Sequence, residues 1–176
     1  MDTSILELCK LELLELLSKL RTIADVEVRR SVTKQVHSQK KTEWESHKNY
    51  HGTMAHHLVE DIHNIWFRIP FGRILQLSSL ESVKVKDFEE INSNLHGHHR
   101  LEDRYMFPSM REQHPELVEE INILERDHEA LVALEGKVYA GDYEAMAEYV
   151  SALNDHLNRE EIIAVPLILD GTDGHF

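Results

Sequence analysis

Two stretches of this 176-residue chain carry the same donor side chains at the same spacing. In "HGHHRLEDRYMFP", residues 96–108, His98, Glu102, Asp103 and Pro108 stand as His156, Glu160, Glu161 and Pro166 do 58 residues later in "HLNREEIIAVP". The apolar residues upstream repeat in register as well, Phe88, Ile91 and Leu95 against Met146, Tyr149 and Leu153. On a helix, residues four apart share one face at roughly 6 Å, so a histidine and a glutamate so spaced can grip one cation. Two unrelated charged loops would not share register over about twenty positions. Each stretch therefore reads as half of a metal site, the halves related by a pseudo-two-fold axis.

Further imidazoles sit in otherwise apolar stripes: His47 and His51 upstream, His128 between the two half-sites. Burying such groups costs several kcal/mol unless a partner or a cation compensates. The expected ligands are thus His47, His51, His98, Glu102, His128, His156 and Glu160. With Cys9 the sole cysteine, the donors are imidazole nitrogen and carboxylate oxygen. That mix suits iron, manganese or zinc and argues against Cu(I) or an iron–sulfur cluster. Two carboxylates on opposite helices can each bridge two ions, and the donor count leaves at least one coordination position open to a small ligand.

Helices must position these groups. Only 7 Gly and 4 Pro interrupt long runs of 3.6-residue periodicity, and no run alternates like a half-buried strand, so the class is all-α. Residues 3–24 form an amphipathic helix with Ile5, Leu8, Leu13, Leu16, Leu20 and Ile23 inward. The basic segment "VEVRRSVTKQVHSQKK" is left open between helix and linker. Four helices follow. The first, about 42–69, carries Trp44, His47, His51, Met54, Leu58, Ile62, Ile65 and Ile69 inward and ends at Pro70 and Gly72. The second spans about 87–110 with Asp87 as N-cap, the third runs to about Tyr139, and the fourth starts near Tyr143 after the "AGD" turn. Short links predict an antiparallel up-down four-helix bundle with an additional N-terminal helix. The organisation expected is 1–41 as N-terminal helix and basic connection, 42–170 as the bundle and 171–176 as a tail.

The motifs "HHRLEDRYMFP", "ERDHEAL" and "HLNREEIIAVP" in this order, with "HGTMAHHL" as a weaker match for the first helix, resemble the hemerythrin-like (HHE) cation-binding family over roughly residues 42–169. The resemblance implies a non-haem di-iron centre of two iron ions whose reduced form binds O2. It makes His51, His98, His128 and His156 terminal ligands, with Glu102 and Glu160 bridging. The chain departs from the oxygen carriers, which have a histidine pair four apart on the third helix, because Leu124 stands four before His128. Under the internal symmetry Leu124 maps onto His47, so the pair is expected on the first helix as His47 and His51. Glu125 is the alternative source of the extra ligand, and His56 the alternative to His51.

Asp103 and Glu161 are expected to hydrogen-bond ligands, and Tyr105 and Tyr149 to be core aromatics. His37, His56, His57, His63, His96, His99, His114 and His175 read as surface residues. A net charge of −13, from 32 acidic and 19 basic residues, opposes nucleic acid and anionic membrane as partners. The N-terminal twenty residues are broken by Glu7, Lys10, Glu12 and Glu15, unlike a signal-peptide core, and the longest apolar run, "IIAVPLIL", is too short to span a bilayer. A soluble cytoplasmic protein is expected, with a homodimer through the N-terminal helix as one reading of that helix. For function three classes stand: binding of O2 for storage or sensing, an enzyme acting on nitric oxide, peroxide or damaged iron centres, and a metal-stabilised scaffold. Leu58, Leu95, Leu124, Leu131 and Leu153 would keep water from the centre.

Overall fold

The structure is a computed structural model that describes residues 3–171; the tail residues 172–176, with His175, lie outside the described residues. Seven helices and no strand occur among the described residues. None of these helices is long and apolar enough to cross a membrane. The described residues divide into two compact units, one of residues 3–57 with 157–171, the other of residues 58–156.

In the first unit α1 (Thr3–Cys9) and α2 (Leu13–Arg21) both pack on α3 (Val26–Ser46). One helix over 3–24 was expected; the break at residues 10–12 lets Ile5 and Cys9 on one side, and Leu16, Leu17 and Leu20 on the other, each reach the core. The basic segment is helical. Asp25 caps it by accepting the Val28 N–H at 2.9 Å, no Gly or Pro interrupts it, and Thr33, Val36, His37 and Trp44 form a buried stripe. Lys40 Nζ donates to the Cys9 carbonyl at 2.7 Å, satisfying an orphan acceptor at the end of α1.

The helix expected over 42–69 is really two. α3 stops at Ser46, and residues 47–53 turn through Gly52 at φ +75, a conformation only glycine adopts cheaply. α4 (residues 54–77) then begins as Met54–His56, continues as a π-helix over His57–Arg68 and returns to α-helix over Ile69–Leu77. Pro70 and Gly72 therefore do not end it. A proline lacks an N–H and crowds the carbonyl four residues back; the wider π winding just ahead of Pro70 places it at the start of a fresh α segment, where a missing N–H costs little. α5 (residues 85–113) repeats the device: Val85–Leu101, a π turn over Glu102–Met106, then Phe107–Gln113 with Pro108 at its start. Its N-cap is Lys84, so Asp87 stands in the first turn instead.

α6 (Val118–Tyr139) and α7 (Tyr143–Leu169) follow, joined by Gly141 at φ +87 and by Asp142, whose side chain accepts the Ala145 N–H at 3.1 Å. α7 supplies its residues up to His156 to the second unit and the remainder to the first. Inside the second unit Asn92 meets Tyr139, His96 meets Glu135 and Asp103 meets His128, so α5 and α6 run antiparallel. The core beneath is aromatic: Phe88 packs edge-on against Phe71, Tyr139 and Tyr149.

Candidate metal centre

Four helices send donors into the second unit's interior. α5 presents His98, His99 and Glu102, α6 presents His128 between Leu124 and Leu131, and α7 presents His156 after Leu153. α4 presents His63, fully buried within its π segment, on a stripe with Phe67, Phe71 and Ile74. The donor atoms of His99, Glu102, His128 and His156 all lie within 4.8 Å of one another, and those of His63, His98 and Glu102 do too. Glu102 belongs to both groups. Glu160, also buried, stands four residues after His156 on α7 and hence on the same helix face.

The Nε2 atoms of these imidazoles crowd against one another and against Glu102. His128 Nε2 lies 3.2 Å from His156 Nε2 and 3.2 Å from Glu102 Oε2, while His98 Nε2 is 2.6 Å from Glu102 Oε1. Yet neither Glu102 oxygen nor His98 Nε2 has a partner of hydrogen-bonding geometry, and the buried His99 Nε2 has none either. One of the two Nε2 atoms of His128 and His156 donates a proton to the other, and a cation held between them would take that proton's place.

The opposite ring nitrogens are held. Asp103 Oδ1 lies 2.8 Å from His128 Nδ1, and Asp127 Oδ2 lies 3.1 Å from His156 Nδ1. A carboxylate there keeps the proton on Nδ1 and leaves the Nε2 lone pair free for a cation. Each brace is the sequence neighbour of a donor, Asp103 of Glu102 and Asp127 of His128, and each reaches the histidine of the next helix. Asp103 was anticipated; Asp127 was missed, though its place beside His128 in "ERDHEAL" was a signal. Glu161 plays its part elsewhere, 3.1 Å from His37 Nε2, and His37 is buried rather than on the surface.

Electrostatics follow from this packing. Burial would raise the Glu102 carboxyl, but the charge of His98 and its contacts with His128 and His98 outweigh that and hold it well below the ordinary carboxylate range. His99 is pushed far down by burial and by the neighbouring His128. Burial likewise lowers His156 despite Asp127, whereas at His128 the contacts with Glu102 and Asp103 overcome burial and raise it. Neutral His99 and His156 beside an ionised Glu102 are donors ready for a cation.

His47 and His51 enter neither group. His47 caps the end of α3 and accepts the Asn49 N–H at Nδ1, and His51 is exposed in the turn beside Gly52, facing Tyr50 and His56. The helix break at Ser46 removes the register that had placed both on an inward ladder. Glu125 pairs with Arg111, and Tyr105 is exposed rather than in the core. His63 and His99 had been read as surface residues and are both buried. Spacing carried the clue for each: His63 lies four before Phe67 on the apolar stripe, and His99 lies three before Glu102.

Buried imidazole and carboxylate donors with orphaned coordinating atoms fit a bound cation. Residues 83–168 match the hemerythrin HHE cation binding domain. Over that span the chain is similar to the hemerythrin HHE family. No curated protein and no solved structure matches the chain. The HHE span takes in α5, α6 and nearly all of α7, and with them every donor described above except His63, which α4 supplies from upstream. An HHE domain binds metal cations, and its His/Glu clusters here are suited to that.

Proposed function

We propose that this HHE domain holds two iron ions and binds a small ligand, O2 or a relative of it, for storage or sensing. The observation that carries the reading is one carboxylate, Glu102, common to two groups of convergent donors. The ligands proposed are His99, His128 and His156 toward one ion, His63 and His98 toward the other, Glu102 between them, and Glu160 as second bridge by its repeat relation to Glu102. α4 to α7 would then form the antiparallel four-helix bundle of the family, with His63 in the first-helix place assigned from sequence to His51.

When bound, the iron pair supplies redox capacity and an open coordination position. The chain's own residues do the rest. Asp103 and Asp127 keep protons on Nδ1 of His128 and His156, aligning the rings. Leu95, Leu124, Leu131 and Leu153 are buried around the donors and exclude water, which strengthens every electrostatic interaction inside. A second reading, an enzyme acting on nitric oxide or peroxide, is favoured by one feature: a small pocket beside His99 and His128 is lined by polar Asn92 and Tyr149, hydrogen-bonded at 2.5 Å.

Metal analysis of the purified protein, then anaerobic reduction and an O2 titration followed in the near-ultraviolet, tests both. About two irons per chain and a spectrum that reverses between air and argon are expected. Rapid irreversible oxidation with turnover of nitric oxide or peroxide would favour the enzyme, and a spectrum indifferent to O2 and nitric oxide would leave only a scaffold.

A further inference from the structure

That same pocket lies among α5, α6 and α7, lined both by exposed residues and by buried residues of the centre. Its outer wall is Val132, 51% exposed, with His96, whose side chain is 41% exposed, and Glu135. Its inner wall is His99, His128 and Tyr149, all buried. The space holds about one water-sized guest, enough for a bare ion. Donors mark the whole depth. At the mouth His96 Nε2 and Glu135 Oε1 stand 2.7 Å apart; further in, His99 carries its buried Nε2 without a hydrogen-bond partner and stacks on His128 at 3.7 Å between ring centroids.

We propose that this pocket is the port through which a divalent cation enters, with Glu135 and His96 as outer, transient ligands and His99 as the group that passes the ion to His128 and Glu102. The proposal rests on the metal-centre reading above and adds the route. A carboxylate at the mouth of a chain with net charge −13 draws cations and repels anions, and a narrow low-dielectric passage focuses that field. Imidazole and carboxylate together suit a divalent transition metal better than Ca²⁺ or Mg²⁺. The ion's arrival requires only that the His96–Glu135 contact open, turning two mutual partners into two ligands.

The test is stopped-flow uptake of Co²⁺ by the metal-free full-length chain, read from cobalt d–d absorption. His96→Gln/Glu135→Gln together should slow loading about tenfold or more, with the final stoichiometry and the final cobalt spectrum unchanged. Val132→Trp, which plugs the mouth without touching a donor, should slow it too. Variants that fill to normal stoichiometry at the wild-type rate would overturn the port while leaving the centre standing. Faster azide binding to the iron-loaded variants with unchanged cobalt uptake would overturn it as well, because the opening would then serve ligands rather than ions. Wild-type protein that takes up no cobalt at equilibrium would overturn the centre and the port together.

Discussion

Asp103 and Asp127 each touch one ring nitrogen, and that contact decides what the other nitrogen can do. Replacing either by Asn keeps the shape and removes the charge that stabilises the Nδ1 proton. Metal affinity should fall about 10–100-fold, measured by competition with a chelator, while far-ultraviolet circular dichroism stays the same. At the same scale, His63→Ala should lower bound iron per chain, whereas His51→Ala should leave it unchanged; the reverse result would return the first-helix ligand to the position read from sequence. Neither His63 nor His99 could be ranked by residue type alone among 13 histidines. Burial separates them from His51 and His56, and burial is a property of neighbours distant in the chain.

Helices here are bounded by ordinary local chemistry and interrupted by π winding. Gly141 at φ +87 and Asp142 at the cap start α7, which carries His156 and Glu160. Asp142→Ala should cost about 1 kcal/mol for the lost cap, and Gly141→Ala about 1–2 kcal/mol for the left-handed backbone, since no neighbouring atom crowds a Cβ there. Both are read from chemical unfolding. The turn and the cap were legible in "AGD". The π segments were not, because a helix-period pattern tolerates one extra residue per turn without any change in residue type; Pro70 and Pro108, each just after a π run, were read as stops or left unexplained when they are entry points.

At the scale of the molecule, buried titratable groups make stability depend on pH and on metal. His99 and His156 are depressed in the folded chain, so their contribution is fully present above the unfolded value of about 6.5 and is lost as pH falls. His128 is raised and works in the opposite sense, its contribution being present below about 6.5 and lost as pH rises through its folded value, so it offsets part of the acid loss. Glu102, held well below the usual range, is lost only at lower pH still. Two groups against one predict that the metal-free protein melts at a lower temperature at pH 5 than at pH 7.5. Metal at about 100 times its dissociation constant adds about 2.7 kcal/mol, so loading should raise the melting temperature by roughly 5–10 °C in calorimetry, and a chelator should reverse it.

The sequence by itself determined the helical class, the repeat of His98 and Glu102 in His156 and Glu160, and the donor chemistry, because periodicity, spacing and side-chain type are local and survive without knowledge of neighbours. The match to the hemerythrin HHE domain over residues 83–168 follows from the same local signals. Only the tertiary structure brought His63 of α4 and His99 of α5 into buried groups of donor atoms, set Asp127 against a ring one helix away and set Glu161 against His37. Those choices depend on how helices are phased and rotated against each other, and one break at Ser46 or one π turn shifts that phase while the residue pattern along the chain stays as it was.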